Sequence, residues 1–91
     1  MSQTPQYKVT VFKKIACAPC ATLTRLLPSI MAKYDNTSFD VIEVRTEEDY
    51  AKLEATITSF PTTILYSSDG TELGRQLGAL GVDQFLAANI K

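Results

Sequence analysis

Alternating apolar and polar residues near the N-terminus predict a β-strand over residues 7–12, where Val9 and Val11 lie between more polar neighbours. From Ala18 onward, apolar residues recur with the spacing of an amphipathic helix, which we expect to run to about Lys33. These residues are Leu23, Leu26, Leu27, Ile30, Met31 and Tyr34. The stripe predicts a helix that covers one face of a sheet, and Pro28 should bend this helix without ending it.

The rest of the chain continues this alternation of strands and helices. Residues 38–45 predict a second strand, and Thr46 with three following acids predicts the N-terminus of a second helix that ends near Thr58. Residues 62–66 and 72–77 predict two strands joined by a hairpin at Asp69-Gly70, and a last helix should begin at Val82. The predicted order is βαβαββα, an α/β fold in which three helices flank a four-stranded mixed sheet.

Size and composition indicate one small globular domain covering residues 1–91. The 91 residues are 45% hydrophobic and 21% charged. No apolar run approaches the roughly 20 residues of a membrane span, and the polar residues 1–6 lack the apolar core of a signal peptide. We therefore expect a cytoplasmic protein that makes no membrane contact and is a monomer.

The net charge of −1 conceals an uneven distribution. The residues before Asp35 contain five bases and no acid, whereas the remainder contains ten acids and four bases. A basic N-terminal part favours anions, including thiolates and acidic partner surfaces. Five scattered bases without interleaved exposed aromatic residues do not predict nucleic-acid binding.

The two cysteines of the chain, Cys17 and Cys20, lie three positions apart where the first strand gives way to the first helix. A free thiol is only about 3% ionised at neutral pH, although the thiolate is the nucleophile in disulfide exchange. Backbone N–H groups at the helix N-terminus, together with Lys13 and Lys14, should stabilise a Cys17 thiolate. Cys17 is the predicted nucleophile, and Cys20, one turn further, is the predicted resolving thiol.

Other roles for this pair remain open but fit less well. A zinc site normally has four ligands, and the chain has no further cysteine and no histidine, so we predict no metal. A purely structural disulfide that closes so short a loop would restrain the unfolded chain little. A nearby cysteine pair in a cytosolic protein is more often catalytic than structural.

A cysteine pair after the first strand, with Pro61 opening the third, resembles the thioredoxin and glutaredoxin superfamily over residues 7–90. The resemblance implies a thioredoxin-like fold and a cis Pro61 whose loop lies against the cysteines. It also implies that the Phe60 backbone hydrogen-bonds to a substrate strand. Ala16 and Ala79, with Ile15, would complete a small apolar surface around the cysteines, although core packing of Ile15 and Phe60 is an equal alternative.

The two ends of the chain resemble different branches of that superfamily. The C-terminal third is similar to thioredoxin at residues 60–62, 68–71, 78–80 and 84–89. The front is more similar to a glutaredoxin, because it starts at the strand before the cysteines and has Lys14 three residues before Cys17. A glutathione site is only half matched, by Lys14 and Asp83.

The chain also departs from the superfamily's pattern. Ala16 replaces the usual thioredoxin tryptophan, and Ala18-Pro19 replaces glycine-proline. The buried acid of thioredoxins would fall on Val11, which leaves Asp40 or Glu43 as substitutes, although both are more typical of solvated positions.

The resemblance implies a dithiol oxidoreductase that reduces protein disulfides, ribonucleotide reductase being one client. It would need no cofactor of its own and would be recycled by a flavin-dependent thioredoxin reductase. The alternatives are a glutaredoxin recycled by glutathione and a non-catalytic binding module that retains the fold.

Overall fold

The predicted α/β fold and its element order are confirmed. The computed structural model describes residues 6–53 and 56–90. The elements are β1 (Tyr7–Lys14), α1 (Ala18–Met31), β2 (Thr37–Val44), α2 (Glu47–Ala51), β3 (Thr62–Ser67), β4 (Glu72–Leu77) and α3 (Val82–Asn89). Within the described residues no helix is both long and apolar enough to cross a membrane.

The four strands form one mixed sheet in the order β2-β1-β3-β4. β1 is parallel to β2 and antiparallel to β3, and β4 is antiparallel to β3. The central position of β1 explains why four consecutive residues in it are buried, whereas Val44 is the one buried residue of the edge strand β2. The buried central strand therefore leads directly into the cysteine segment.

The main core lies between the sheet and the helices α1 and α3. Its buried residues are Val9, Val11, Leu23, Leu27, Ile30, Leu65, Val82 and Leu86. Two residues of the predicted helical stripe are not part of it, because Leu26 and Met31 are 44% and 41% exposed. The buried stripe is narrower than predicted, since it follows Cys20, Leu23, Leu27 and Ile30 at alternating spacings of three and four residues.

The prediction that α2 continues to Thr58 is wrong. The helix ends at Ala51, and none of its residues is buried. Ile57 is instead buried outside any helix, in a smaller cluster with Phe12 and Ile64. The Tyr50 hydroxyl donates a hydrogen bond to the Ile57 carbonyl and so ties this non-helical segment to α2. The spacing of Tyr50 and Ile57 therefore matches the repeat of a helix, although Ile57 is not in one.

The other predicted boundaries lie within two residues of those observed, and both ends of β4 agree. α1 continues through Pro28 as expected, and the Asp69-Gly70 hairpin forms. Gly70 has φ 89°, a backbone conformation that favours glycine, and its N–H donates to the Ser67 carbonyl at 3.0 Å. Hydrogen bonds from the Ser67 hydroxyl and the Thr71 N–H lower the pKa of Asp69 to about 2.

Candidate active site

Cys17 occupies the N-cap of α1, where its sulfur accepts a hydrogen bond from the Cys20 N–H at 3.2 Å. β1 ends at Lys14, and the link to the helix passes through Ala16, which has the left-handed φ of 55°. Pro19 lies in the first turn, where its missing N–H costs no intrahelical hydrogen bond. Cys17 and Cys20 are joined in a disulfide, with their Cα atoms 5.2 Å apart.

The two sulfurs of this disulfide lie in different environments. Cys20 is only 3% exposed and belongs to the buried face of α1, whereas Cys17 is half-buried at the surface. Cys17 Sγ lies 3.8 Å from the Phe60 carbonyl oxygen. An incoming disulfide can therefore reach Cys17 more readily than Cys20.

The loop before β3 lies against Cys17, as the resemblance implied. The Phe60–Pro61 peptide bond is cis, and Pro61 is fully buried. Phe60 precedes the first paired residue of β3, so its backbone lies outside the sheet ladder. The Gly78 N–H donates to the Pro61 carbonyl at 2.9 Å, which brings Ala79 to the same end of the sheet. Ala79 itself is half-buried against the main core.

Phe60 and Ile15, for which surface and core roles were equally open, differ in the structure. Phe60 is half-buried against the smaller core cluster. Its ring meets the Tyr50 ring edge-on at 6.2 Å, and Lys14 Nζ lies 5.7 Å from the ring centre. Ile15 is 51% exposed and, with the exposed Ala16, borders Cys17. The sequence did not indicate Leu80, which is 82% exposed next to Ala79.

An open groove of about 830 Å³ runs from the cysteines along α1. Its lining consists of Lys13, Lys14, Ile15, Ala16, Cys17, Ala18, Cys20, Ala21, Thr24, Arg25 and Glu43. Lys13 and Glu43 are opposite each other in the parallel β1–β2 pairing and form an ion pair at 3.7 Å. Glu43 also forms an ion pair with Arg45 at 2.6 Å. It does not pair with Lys14, so this carboxylate offsets the charge of Lys13 but not that of Lys14.

Arg25 is a residue of this groove that the sequence analysis did not assign to the site. Its position eight residues after Cys17 on a helix places it on the same side of α1 as Ala18 and Ala21. This eight-residue spacing was the feature of the sequence that could have indicated Arg25. Asp83, by contrast, does not line the groove and binds Lys33 at 2.6 Å.

The structure also shows what surrounds the position of the missing buried acid. Val11 is 2% exposed and lies opposite Val41 and Thr63 in the sheet. The Thr63 hydroxyl is buried there and has no hydrogen-bond partner among the described residues. Asp40 is exposed and pairs with Lys8, so Glu43, with 29% of its side chain exposed, is the carboxylate that reaches the groove.

Within residues 6–53 and 56–90, no group of three or more potential ligand residues could hold a metal ion. Both cysteine sulfurs are engaged in the disulfide. The chemistry that this arrangement supports is reversible thiol–disulfide exchange at Cys17.

The sequence matches the family model described as a thioredoxin-like domain over residues 1–89. The chain belongs to this family. It therefore falls within the thioredoxin and glutaredoxin superfamily, and its Cys17/Cys20 pair is consistent with a thiol–disulfide oxidoreductase. A comparison with curated proteins gives no significant match.

Several solved thioredoxins share the fold. The chain is 27% identical to reduced Schistosoma mansoni thioredoxin pre-protein, with a TM-score of 0.75 over 97% of this chain and 83% of that one. It is 28% identical to mitochondrial thioredoxin 3 of Saccharomyces cerevisiae in its oxidised form, with a TM-score of 0.73 over 94% of this chain and 77% of that one. Fasciola hepatica thioredoxin is 25% identical, with a TM-score of 0.73 over 96% and 80%.

Proposed function

We propose that this thioredoxin-like protein reduces disulfides in other proteins with the Cys17/Cys20 dithiol. The observation that carries the proposal is the unequal burial of the two sulfurs. Cys17 is accessible at a helix N-terminus beside the Phe60 carbonyl, and Cys20 is buried one turn away within bonding distance. Such a pair suits a nucleophile that meets the client and a second thiol that releases it.

The reaction has two exchange steps. The Cys17 thiolate attacks one sulfur of the client disulfide, forms a mixed disulfide and displaces the other client sulfur as a thiolate. The Cys20 thiolate then attacks Cys17 Sγ, forms the Cys17–Cys20 disulfide and displaces the second client thiolate. The protons of Cys17 and Cys20 pass to the two client thiolates. The dithiol loses two electrons and the client disulfide gains them.

Reduction of insulin disulfides with a chemical reductant tests this proposal. Cys17→Ser should abolish the activity, whereas Cys20→Ser should stop at a mixed disulfide that mass spectrometry detects. A Cys17→Ser protein with full activity would refute the role of Cys17. A partner complex that survives replacement of both cysteines, without any insulin reduction by the wild type, would favour the binding module.

Recycling by a flavin-dependent thioredoxin reductase forms part of the proposal, with ribonucleotide reductase as one client and the cytoplasm as the location. The likeness to thioredoxins at 25–28% identity supports this choice of reductant. Lys14, which has no carboxylate partner among the described residues, favours glutathione as the second candidate. Turnover with NADPH and thioredoxin reductase should exceed turnover with glutathione and glutathione reductase; the reverse result would assign the protein to the glutaredoxins.

A further inference from the structure

The positive side chains of this protein are paired unequally. Eight lysines and arginines lie in residues 6–53 and 56–90, and six of them form ion pairs with carboxylates. The six are Lys8, Lys13, Lys33, Arg45, Lys52 and Arg75. Within those ranges Lys14 and Arg25 have no carboxylate partner, and both line the groove that contains Cys17 and Cys20. Among the described residues, the unpaired positive charge is therefore concentrated beside the disulfide.

The groove contains little negative charge to offset these cations. Glu43 is its one carboxylate among the described residues, and Lys13 and Arg45 already bind it. The first turn of α1 has no acid, so the partial positive charge of the helix N-terminus adds to the same potential. An anionic group of a bound client would thus meet positive charge that no carboxylate among residues 6–53 and 56–90 neutralises.

The shape of the groove indicates where that anionic group would lie. The small side chains of Ala18 and Ala21 line it, and both residues lie between Cys17 and Arg25 along α1. Eight helical residues span about 12 Å, and the arginine side chain tilts back toward the helix N-terminus. An extended client segment rises about 3.3 Å per residue. Its carboxylate would reach Arg25 from a position about three residues from the cysteine that bonds to Cys17.

We propose that this protein selects clients in which an acidic residue lies about three positions from the reacting cysteine, with Arg25 and Lys14 as specificity-determining residues. The proposal rests on the disulfide-reductase function proposed above. The occupant is an extended acidic segment of a protein, because the distance from Cys17 to Arg25 spans several residues of chain. Lys14, held beside the Phe60 ring, adds positive charge to the same groove.

The test uses single-cysteine peptides activated as 2-pyridyl disulfides, so that attack by reduced protein releases pyridine-2-thione, which absorbs light. One peptide pair carries Glu or Gln three residues before the cysteine, and a second pair carries them three residues after it. We expect a five- to tenfold faster reaction for Glu than for Gln in at least one pair at low salt. Arg25→Gln should reduce this ratio to about two, and Lys14→Gln should reduce it partly.

Three controls make the test specific. Lys52→Gln removes the same charge from an exposed residue outside the groove and should leave the ratio unchanged. Arg25→Lys should retain most of the ratio between the Glu and Gln rates. Raising the ionic strength to 0.5 M should bring that ratio close to one, because exposed charges are then screened within a few ångströms.

Equal rates for Glu and Gln peptides in both pairs would overturn the proposal, as would an equal loss of the ratio in Lys52→Gln. If Arg25→Gln slows reduction of glutathione disulfide but the peptides show no preference, the carboxylate belongs to a small molecule and the proposed segment is wrong. These results would leave the reductase function standing. Peptide reaction no faster than with free cysteine would instead overturn both proposals.

Discussion

The N-termini of α1 and α2 follow strands β1 and β2 and differ in what occupies the cap. In α2 the Thr46 hydroxyl accepts from the Asp49 N–H at 3.0 Å, and the Asp49 carboxylate accepts from the Thr46 N–H at 3.2 Å. All three residues of its first turn that follow Thr46 are acids. In α1 the cap is the Cys17 sulfur, a weaker acceptor, and the first turn has no acid.

This difference shows that a helix N-terminus can serve stability, as in α2, or reactivity, as in α1. α2 has five residues and buries none, so its cap and charges matter to its formation. α1 has fourteen residues and is anchored by Leu23, Leu27 and Ile30. Because packing holds α1, its positive N-terminus is available to stabilise a thiolate rather than a structural carboxylate.

Among the substitutions that test this comparison, Cys17→Ser should have the largest effect, which is on disulfide exchange. Serine is a good N-cap, so α1 should fold as well as before, while disulfide exchange falls more than about a thousandfold because the nucleophile is lost. Circular dichroism and insulin reduction measure the two effects. If the variant unfolded, the sulfur would have a structural role that the hydroxyl cannot replace.

Thr46→Ala should destabilise the protein by about 1 kcal/mol, because it removes the hydroxyl that accepts from Asp49 N–H. The free energy of unfolding in urea measures this loss. Thr46→Ser retains the hydroxyl and serves as the control. No difference between alanine and serine would show that the α2 cap does not contribute to global stability.

Ala16→Gly tests how the chain turns into α1. Glycine adopts the left-handed φ of Ala16 without strain, so we expect a gain of about 0.5 to 1 kcal/mol in the free energy of unfolding. The same substitution within the helix, Ala21→Gly, should cost about 1 kcal/mol. Losses at both positions would contradict the strain assigned to Ala16.

Ala18→Glu places an acid in the first turn of α1, which has none, whereas the first turn of α2 has three. The added charge should raise the pKa of the reduced Cys17 thiol and lower its thiolate fraction about threefold at neutral pH. A more basic thiolate is also more nucleophilic, so exchange should slow only about twofold. Thiolate absorbance against pH measures the first effect, with Ala18→Gln as the neutral control. An unchanged titration would contradict the electrostatic role of this helix end.

Asp49→Asn should have the smallest effect, visible only in the pH dependence of stability. Hydrogen bonds from the Arg45 and Thr46 N–H groups lower the pKa of Asp49 below 3.8. Its contribution is therefore present above about pH 4 and is lost as the pH falls through the folded-state value. Urea unfolding at pH 6 and pH 3 should show less acid destabilisation in the asparagine variant than in the wild type.

Features that depend on neighbours in the sequence were predictable. The Cys17/Cys20 spacing, the periodicity of α1 and the Asp69-Gly70 turn each reflect backbone geometry over a few residues. The same holds for the Thr46 cap. Together with the resemblance through Pro61, they indicated both the element order and the position of the dithiol.

The sequence by itself thus determined the elements, the cysteine pair and its helix N-terminus, because local propensities and spacings act within one turn or strand. Only the tertiary structure decided that α2 stops at Ala51, that Phe60 packs while Ile15 is exposed, and that Glu43 pairs with Lys13 while Arg25 has no carboxylate partner within the described residues. Those outcomes depend on which distant residues meet across the sheet, and burial and ion pairing are settled by such long-range contacts.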